Sequence, residues 1–567
     1  MHKITRQRAR LVFLAIVLFS VFLIIKIFKI QVVDGQKYIA KSLSQHTKLN
    51  PTLFNRGTIF FTNKDGSKIS GASVSQGFLL FAVPKLISDN KVTYDILSQY
   101  IDLDRKTFLE KTHIKDDPYE ELVHRIDSDI AREISNLALP GIRVTPESWR
   151  TYPGGSLASH VLGLVGHGTN SEISGKYGLE RYYDKLLSRS SQGDSTQSIT
   201  NILTDATNVS TSTQSGDLIT SIEPTVQGYL EKTLETIVKT WKPSETGGII
   251  MDPNTGDIIA MASFPGFDPN DTSDVTQVSV FSNPNVEKVY EMGSIMKPIT
   301  MAIGIDSKAI NKDSTYMDTG TMTLNGKKIS NYDGKARGLT NMQNVLSQSL
   351  NVGAATIALK VGKDVFPDYM INVGLGNKTG IDLPSEAASL IQNIQSKRDI
   401  EIATASYGQG ISVSPINMIR ALAVIANGGK VIRPHIVKEI DYIDGSKAFA
   451  RDDSYIALKK ESTVEVTKML VEVVDTALKK GQLKNDRYSI AAKTGTAQIP
   501  DPSTKSYYKD RYLHSFFGYF PAYNPKFIVF LYQVYPKGAE YASETLADPF
   551  SDLSKFLINY YSIAPDR

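Results

Sequence analysis

The sequence predicts an α+β protein with a membrane-spanning helix near its N-terminus, a mixed α/β module after it and a larger C-terminal domain. Three observations lead to this prediction. An apolar run fills residues 11–25, a segment rich in Ser, Thr, Gln and Asn covers 188–215, and strand-like runs stand at both ends of the remaining chain with helical patterns between them. When strands lie early and late in a segment, they commonly join one sheet on which the intervening helices pack.

Composition and charge narrow the classes of protein to consider. The chain has 567 residues, of which 41% are hydrophobic and 22% charged, as is typical of a globular protein with sizeable cores. Its formal net charge of +4 is too small to indicate nucleic-acid binding. Cysteine is absent, which excludes disulfides, thiolate nucleophiles, Cys-ligated zinc and iron–sulfur clusters. The histidines form no His-Glu-x-x-His pair, so no metal site is expected.

The N-terminal apolar run is long enough to cross a membrane. Twenty helical residues rise about 30 Å, which matches the hydrocarbon layer. Four basic residues and no acidic one precede the run, which indicates a cytoplasmic N-terminus and an extracytoplasmic remainder. A cleaved signal peptide is the alternative, but residues 25–33 offer no small-x-small cleavage site, which favours an uncleaved anchor. We therefore expect a cytoplasmic tail at 1–10 and a single transmembrane helix at 11–30.

Composition divides the chain after the anchor into two parts. Residues 31–215 alternate short apolar segments with Gly, Pro and Asn and end in the polar segment, which is typical of a module followed by a linker. Residues 216–567 form the second part. Apolar spacing there predicts a helix at 225–241, a hairpin at 247–262, helices between 295 and 480, and strands near 491–498, 515–520 and 527–535.

Three short motifs in the C-terminal part point to nucleophilic catalysis. Ser294-Ile-Met-Lys297 opens a helical pattern, so the lysine lies one turn after the serine on the same face. A serine hydroxyl needs an adjacent base, and a lysine serves when burial and a second cation lower its pKa. Ser349-Leu-Asn351 is the second motif. Lys493-Thr-Gly-Thr496 is the third, in a predicted edge strand where Gly495 admits a substrate backbone and Lys493 supplies the second positive charge.

Each motif is weak by itself, because similar ones occur elsewhere. Ser-x-x-Lys also begins at Ser88 and Ser506, and Lys378-Thr-Gly380 repeats the third motif. Only the set beginning at Ser294 combines the order Ser-x-x-Lys, Ser-x-Asn, Lys-Thr-Gly with a helix start and a strand. Ser156, in Gly154-Gly-Ser156-Leu-Ala158, follows Tyr-Pro without a preceding buried strand, and we interpret it as a turn.

With these motifs the chain resembles the class B penicillin-binding proteins, which are membrane-anchored transpeptidases of bacterial cell-wall synthesis. The resemblance extends to Arg56-Gly-Thr-Ile59, Arg150-Thr-Tyr-Pro153 leading to His160, and Gly178-Leu-Glu180, for which we expect a structural role. It also includes Thr379-Gly-Ile-Asp-Leu-Pro-Ser-Glu386 and Tyr407-Gly-Gln-Gly410, whereas Met292 stands where the family usually has Pro. The resemblance implies a dimerisation-type pedestal module at 31–215 and, at 216–567, a β-lactamase-like transpeptidase domain with an antiparallel sheet flanked by helices.

The mechanism that the resemblance implies is acyl transfer without a metal or organic cofactor. Ser294 would attack the carbonyl between two terminal D-alanines of a peptidoglycan stem peptide, and Lys297 would take its proton. Ser349 would relay the proton to the leaving D-alanine, and Asn351 would bind the donor peptide. Lys493, with Thr494 and Thr496, would hold the terminal carboxylate, and the backbone N–H groups of Ser294 and Thr496 would form the oxyanion hole.

The resemblance also implies partners and a cellular role. Expected partners are stem peptides, β-lactams as covalent inhibitors, a polytopic glycan-polymerising membrane protein and division proteins, all met at the bacterial inner membrane. We favour a septal enzyme over an elongation enzyme because the N-terminal module is short and no C-terminal repeat domains follow. Two different functions compete with a transpeptidase. One is a serine β-lactamase or β-lactam sensor, although sensors usually have several membrane helices. The second is a catalytically silent scaffold, which would not require all three motifs.

Overall fold

The computed structural model describes residues 55–114, 117–167, 173–189, 215–450, 453–504 and 506–567. The predicted cytoplasmic tail, the transmembrane helix and nearly all of the linker lie outside these residues. Within the described ranges, no helix combines the length and the apolar character needed to cross a membrane. The boundary at residue 215 stays a prediction.

The described chain before the linker is mixed α/β, as its composition predicts. In chain order its elements are β1 (Ile59–Thr62), β2 (Lys68–Ala82), α1 (Asn90–Leu97), α2 (Arg105–His113), β3 (Glu120–Ile126), α3 (Ser128–Asn136), β4 (Ile142–Thr151), α4 (Ser159–Leu162), β5 (Val165–His167), β6 (Ile173–Gly175), α5 (Gly178–Tyr182) and α6 (Asp184–Leu187).

The chain after the linker has helices between early and late strands. Its first elements are β7 (Gly216–Thr220), α7 (Pro224–Trp241), β8 (Glu245–Met251), β9 (Ile258–Phe264), α8 (Pro284–Glu287), α9 (Lys297–Asp306), β10 (Thr315–Asp318), β11 (Thr321–Leu324), β12 (Lys327–Ser330), β13 (Gly338–Asn341), α10 (Met342–Ser347), α11 (Asn351–Val361) and α12 (Val365–Asn372). These are followed by α13 (Gln392–Gln395), α14 (Asp399–Ala405), α15 (Pro415–Ala426), β14 (Lys430–Val431), β15 (Val437–Tyr442), β16 (Lys447–Phe449), β17 (Tyr455–Ile456), α16 (Lys460–Glu472), β18 (Ala491–Asp501), β19 (Ser506–Phe520), β20 (Phe527–Val534), α17 (Ala542–Thr545) and α18 (Ala547–Tyr560).

The chain divides into two compact units. The smaller contains Ser75–Trp149, where β3 pairs antiparallel with the second part of β2. Its own apolar core includes Leu80, Phe108 and Ile126, each at most 4% exposed. The larger unit contains Arg56–Val74, Arg150–Ser190 and Ser195–Arg567. Arg56-Gly-Thr-Ile59 and Arg150-Thr-Tyr-Pro153 resemble motifs of the family and flank the smaller unit in sequence. Both segments therefore fold with the C-terminal part of the chain.

Within the larger unit, a buried cluster of ion pairs joins the Arg56, Arg150 and Glu180 segments. Glu180 is fully buried; its carboxylate accepts from Arg56 Nε at 2.5 Å and from Arg150 Nε at 2.6 Å. Arg56 also pairs with Asp184 at 2.8 Å. The two arginines thus need the carboxylate to remain buried as charges. The contacts support the structural role expected for these segments.

We expect Glu180→Gln to destabilise the protein strongly. The substitution keeps the size of the side chain but leaves two buried arginines without their shared charge, which costs about 3–5 kcal/mol in comparable pairs. Urea unfolding of the full chain in detergent measures the effect. Glu235→Gln is the matched control, because Glu235 pairs with Lys239 at the surface, where ion pairs contribute about 0–1 kcal/mol. Equal losses from the two variants would contradict the assignment.

The centre of the larger unit is an antiparallel five-stranded sheet in the order β18-β19-β20-β8-β9. Strands at the two ends of the segment meet here, as predicted, and β18 lies at an edge of the sheet. On one face, Phe516 stacks on Phe550 of α18 and Gly248 lies against Leu230 of α7. On the other face, Gly495 lies against Met292 and Ile295, directly before α9.

Most of the predicted elements are confirmed with small shifts at their ends. The helix predicted at 225–241 is α7, the hairpin at 247–262 is β8–β9, and the three late strands are β18, β19 and β20. Strands β18 and β19 extend beyond the predicted runs because their ladder continues through polar residues, as in the pairing of Asp501 with Ser506, whereas β20 ends one residue before the predicted run. The outcome is an α+β fold with an antiparallel sheet flanked by helices.

Candidate active site

A tight turn before α9 carries Ser294. Residues Gly293–Met296 form one 3₁₀ turn, and α9 continues from Lys297. Gly293 has φ +65°, and a Cβ there would lie 2.9 Å from the carbonyl oxygen of Thr496, so only glycine lets the turn approach β18 this closely. Met292, which replaces the usual Pro, is buried, and its carbonyl accepts from Ser515 Oγ at 2.9 Å. The turn is therefore fixed against the edge strand.

The segment Tyr407-Gly-Gln-Gly410 supports the same turn from the other side. The N–H of Gly293 donates to the carbonyl of Gly408 at 3.1 Å. Gly408 has φ +79°, and a Cβ there would collide with the carbonyl oxygen of Gly293 at 2.3 Å. Thr300 of α9 donates to the carbonyl of Ser406 at 2.7 Å. The role of this segment is thus to buttress the serine turn, a role that its sequence pattern does not reveal.

Lys297 lies beside the Ser294 hydroxyl and is 1% exposed. Its Nζ lies 2.9 Å from Ser294 Oγ, 2.6 Å from the carbonyl oxygen of Ser349 and 2.8 Å from Asn351 Oδ1. A neutral amine has two N–H donors and one lone pair. It can donate to the carbonyl and amide oxygens while its lone pair accepts from the Ser294 hydroxyl, which is the geometry a general base requires.

Two effects hold the pKa of Lys297 well below its usual range. The larger is burial, which disfavours the charged ammonium, and the second is the positive charge of Lys493. Both were expected from the sequence, which places a second cation in the third motif. The lowered pKa favours the neutral, proton-accepting form of the amine.

Ser349 lies between the two lysines. Its Oγ is 3.1 Å from Lys297 Nζ and 3.1 Å from Lys493 Nζ. Its φ of 54° lies in the left-handed region, which non-glycine residues seldom adopt. Residues in such strained conformations cluster at functional sites. This conformation turns the carbonyl of Ser349 towards Lys297 as well. The hydroxyl can therefore pass a proton between neighbouring groups without moving.

Lys493 is a buried cation without a carboxylate partner in the described ranges. It is 3% exposed, and its Nζ donates to Ser349 Oγ and to the carbonyl of Thr494 at 2.9 Å. Burial lowers its pKa to about 7. Buried charges in proteins are normally paired, so this group is suited to receive an anionic ligand. A bound carboxylate would favour its charged form.

The remaining predicted site residues lie around these groups. Asn351 has both ends of its amide engaged, since its Oδ1 accepts from Lys297 and its Nδ2 donates to the carbonyl of Ser330 at 2.9 Å. Thr494 and Thr496 are half-buried on β18. At Gly495 a Cβ would lie 2.6 Å from the carbonyl oxygen of Met292, so the missing side chain makes room for the serine turn. Substrate contacts by these four residues stay predictions.

The competing motifs lack this environment. Ser88 and Ser506, with the lysines that follow them at 91 and 509, are exposed, and so is Ser156. Lys378 is exposed on a loop whose backbone carbonyl accepts from Arg420 at 3.1 Å. These lysines lack the burial that Lys297 and Lys493 have. Burial therefore distinguishes Ser294 and Lys493 from the similar motifs.

Glu386 lies 35 residues after Asn351, a separation that would suit the glutamate that activates the deacylating water in a class A β-lactamase. The Glu386 carboxylate is bound to other groups. It accepts from the N–H of Thr379 at 2.5 Å and from the N–H of Gly380 at 3.0 Å. These bonds close the loop that contains the second Lys-Thr-Gly. The carboxylate therefore stabilises its own loop.

Sequence reasoning missed Glu291, which lies three residues before Ser294. Its carboxylate accepts from Tyr507 Oη at 3.0 Å and from the N–H of Gly410 at 3.1 Å, and burial raises its pKa to about 7. It thus joins the serine turn, the 407–410 segment and β19. No local pattern marks it, because its partners are 119 and 216 positions away in the chain.

Comparisons with known proteins identify the domains of the chain. The family model for the penicillin-binding protein transpeptidase domain matches residues 246–554, and that for the penicillin-binding protein dimerisation domain matches 55–219. Stage V sporulation protein D of Bacillus subtilis is 29% identical over 557 residues, covering 96% of this chain and 84% of the relative. Peptidoglycan D,D-transpeptidase FtsI of Escherichia coli is 28% identical over 457 residues, covering 78% of this chain and 73% of the relative.

A solved structure has the same fold. Penicillin-binding protein 3 of Mycobacterium tuberculosis, complexed with aztreonam, superposes with a TM-score of 0.68 at 21% identity and covers 91% of this chain and 98% of its own. At this identity the likeness concerns the fold.

Proposed function

This chain belongs to the class B penicillin-binding proteins, which combine a dimerisation domain with a transpeptidase domain, and we propose on that basis that it is a peptidoglycan D,D-transpeptidase acting through a Ser294 acyl-enzyme. The observation that carries the proposal is the buried Lys297, with a lowered pKa and its Nζ 2.9 Å from the Ser294 hydroxyl. The relatives named as peptidoglycan D,D-transpeptidases support the same activity.

In the first half-reaction, Ser294 Oγ attacks the carbonyl between two terminal D-alanines of a stem peptide. Lys297 accepts the hydroxyl proton, and the backbone N–H groups of Ser294 and Thr496 stabilise the oxyanion. The C–N bond then breaks, Ser349 relays a proton to the leaving amine, and D-alanine departs. In the second half-reaction, an amine of a neighbouring stem peptide attacks the ester, which releases Ser294 and forms the cross-link.

The carboxylate of the terminal D-alanine binds to the third motif. The unpaired, buried ammonium of Lys493 supplies the charge, and the hydroxyls of Thr494 and Thr496 donate hydrogen bonds. Asn351, which already holds Lys297, contacts the donor peptide, and the backbone at Gly495 lies along it. A β-lactam presents a comparable carboxylate and a strained amide to the same groups, so it acylates Ser294.

We expect the penicillin adduct of Ser294 to persist for hours. Glu386, the acid that would have to activate water, is bound to the backbone of its own loop, so it is not placed to promote hydrolysis of the ester. The full chain in detergent is mixed with excess penicillin, and the adduct is followed by intact mass and located by peptide mapping. Rapid loss of the adduct with multiple turnovers of drug, abolished by Glu386→Gln, would indicate a β-lactamase instead.

The cellular role that we propose is septal synthesis at the bacterial inner membrane. The catalytic domain would lie outside the membrane, held by the anchor at 11–30, beside a polytopic glycan-polymerising protein and division proteins. Support comes from the shortness of the dimerisation-type module that precedes the transpeptidase domain. A fluorescent fusion that concentrates at division sites would agree with this role, whereas a uniform sidewall distribution would indicate an elongation enzyme.

A catalytically silent scaffold is the competing function. It would retain the fold and the partners but form no cross-links. Incubation of the full chain with stem pentapeptides and measurement of released D-alanine and cross-linked product decides between the two. A scaffold has no need of two buried lysines, which are costly to desolvate.

A further inference from the structure

A short turn at residues 540–545 lies against the edge strand that carries the third motif. The turn includes α17, and it is closed by Glu544, whose Oε2 accepts from the N–H of Glu540 at 3.2 Å and of Tyr541 at 3.1 Å. At the next residue, the N–H of Ala542 donates to Thr496 Oγ1 at 3.1 Å. The turn therefore contacts the last residue of the Lys-Thr-Gly-Thr motif directly.

His514 forms hydrogen bonds with both ends of this turn. It is fully buried on β19, directly opposite Thr496 in the strand register. Its Nε2 lies 3.1 Å from the carbonyl oxygen of Glu540 and its Nδ1 lies 2.9 Å from Thr545 Oγ1. Because a carbonyl only accepts, Nε2 carries the proton, and Nδ1 accepts from the threonine hydroxyl. One neutral imidazole thus fixes residues 540 and 545 together.

The contact with Ala542 determines what the Thr496 hydroxyl can do. A hydroxyl has one O–H donor and two lone pairs. One lone pair is occupied by the N–H of Ala542, so the hydrogen is directed away from the turn. Thr496 lies on an edge strand of the sheet and is half-buried, so the residue is partly accessible to a ligand. The contact with Ala542 therefore leaves the O–H of Thr496 free to donate.

The same turn places an aromatic ring towards the other side of the site. Tyr541 meets Tyr332 edge-on, with the ring centroids 6.1 Å apart, although both rings are exposed, by 38% and 60%. Tyr332 lies two residues after Ser330, whose carbonyl accepts from Asn351. The turn thus links the strand that carries Thr496 to the segment beside Asn351.

We propose that His514 is a positioning residue for acylation, which acts by holding the 540–545 turn so that the N–H of Ala542 orients the Thr496 hydroxyl as a donor to the substrate carboxylate. The inference rests on the proposed function, since it needs a carboxylate-bearing substrate at Lys493 and Thr496. His514 touches no substrate itself. Its influence passes through two hydrogen bonds to the turn and one from the turn to Thr496.

A double-mutant cycle tests this route. Rate constants for acylation by a fluorescent penicillin are measured with the full chain in detergent for wild type, His514→Ala, Thr496→Val and the double variant. We expect about a tenfold loss from His514→Ala and at least as large a loss from Thr496→Val, since a misdirected or missing donor weakens transition-state stabilisation. The double variant should react within about twofold of Thr496→Val, because residues that act through one contact are not additive.

Two further variants separate positioning from loss of packing. His514→Gln retains one donor and one acceptor, and we expect it to react within about threefold of wild type. His160→Ala is the matched control, because His160 is also buried and hydrogen-bonded at both nitrogens, to Ser263 and to the carbonyl of Val280. Its acylation rate constant should equal that of wild type. Rate constants do not depend on the folded fraction, so partial misfolding cannot mimic the effect.

The outcomes distinguish the inference from the proposed function. Additive losses in the double variant, or a Gln variant as slow as the Ala variant, would overturn the role of His514 while the acyl-enzyme stands. A wild-type chain that penicillin does not acylate would overturn the proposed function and this inference with it.

Discussion

Ser294→Ala is expected to abolish covalent labelling by penicillin. The side chain supplies the oxygen that forms the ester, and its hydroxyl lies 2.9 Å from Nζ of the buried Lys297, whose pKa is lowered by burial and by Lys493. The Ser349 hydroxyl differs in being shared between two lysines, with its Oγ 3.1 Å from both Lys297 Nζ and Lys493 Nζ. Labelling is measured by gel fluorescence and by intact mass with the full chain in detergent.

The controls for this prediction are the serines of the competing motifs. Ser88→Ala, Ser156→Ala and Ser506→Ala should leave labelling unchanged, since all three hydroxyls are exposed. A thermal unfolding curve for Ser294→Ala verifies that the fold persists, as expected for the loss of one half-buried oxygen. An adduct that survives Ser294→Ala would refute the assignment of the nucleophile.

Lys493→Ala is expected to slow acylation by about 100- to 1,000-fold, as is typical when one oriented electrostatic group is removed from an active site. Two physical effects contribute. The substrate carboxylate loses its buried cationic partner, and the Ser349 hydroxyl loses a donor at 3.1 Å. Stopped-flow or quenched acylation with a chromogenic β-lactam measures the rate constant.

The pH profile of the same variant provides an independent check. The charge of Lys493 contributes, after burial, to the lowered pKa of Lys297. Its removal therefore raises that pKa, and the acid limb of the acylation profile should move to higher pH. Lys378→Ala is the matched control, because it removes the exposed lysine of the second Lys-Thr-Gly and should change neither rate nor profile. The reverse ranking of the two lysines would show that the wrong motif was chosen.

The local sequence was sufficient to locate the elements that carry the site. Apolar spacing identified α7 and the late strands, and Gly293 before Ser294 identified the start of a helix. These features depend on interactions between residues that are near each other in the chain. Helix periodicity, turn residues and strand alternation are interactions of this kind. The order of the three motifs then singled out one set among several.

Long-range features of the site were beyond local patterns. Glu291, Gly408 and His514 act through partners more than twenty positions away, and their neighbours in sequence show no distinctive spacing. The division into compact units was equally hidden, since residues 56–74 and 150–190 fold with the C-terminal part although the smaller unit separates them in sequence. Such groupings depend on which surfaces pack, which is a property of the whole chain.

The sequence by itself determined the α+β fold class, the family resemblance and the residue types at the site. Only the tertiary structure decided which serine and lysines have the environment for catalysis. Ser294 and Ser88 begin the same four-residue pattern, but Lys297 is 1% exposed and bears a lowered pKa, whereas the lysine after Ser88 is exposed. The physical reason is that desolvation and a second charge set the pKa of a lysine, and both come from residues brought near by folding.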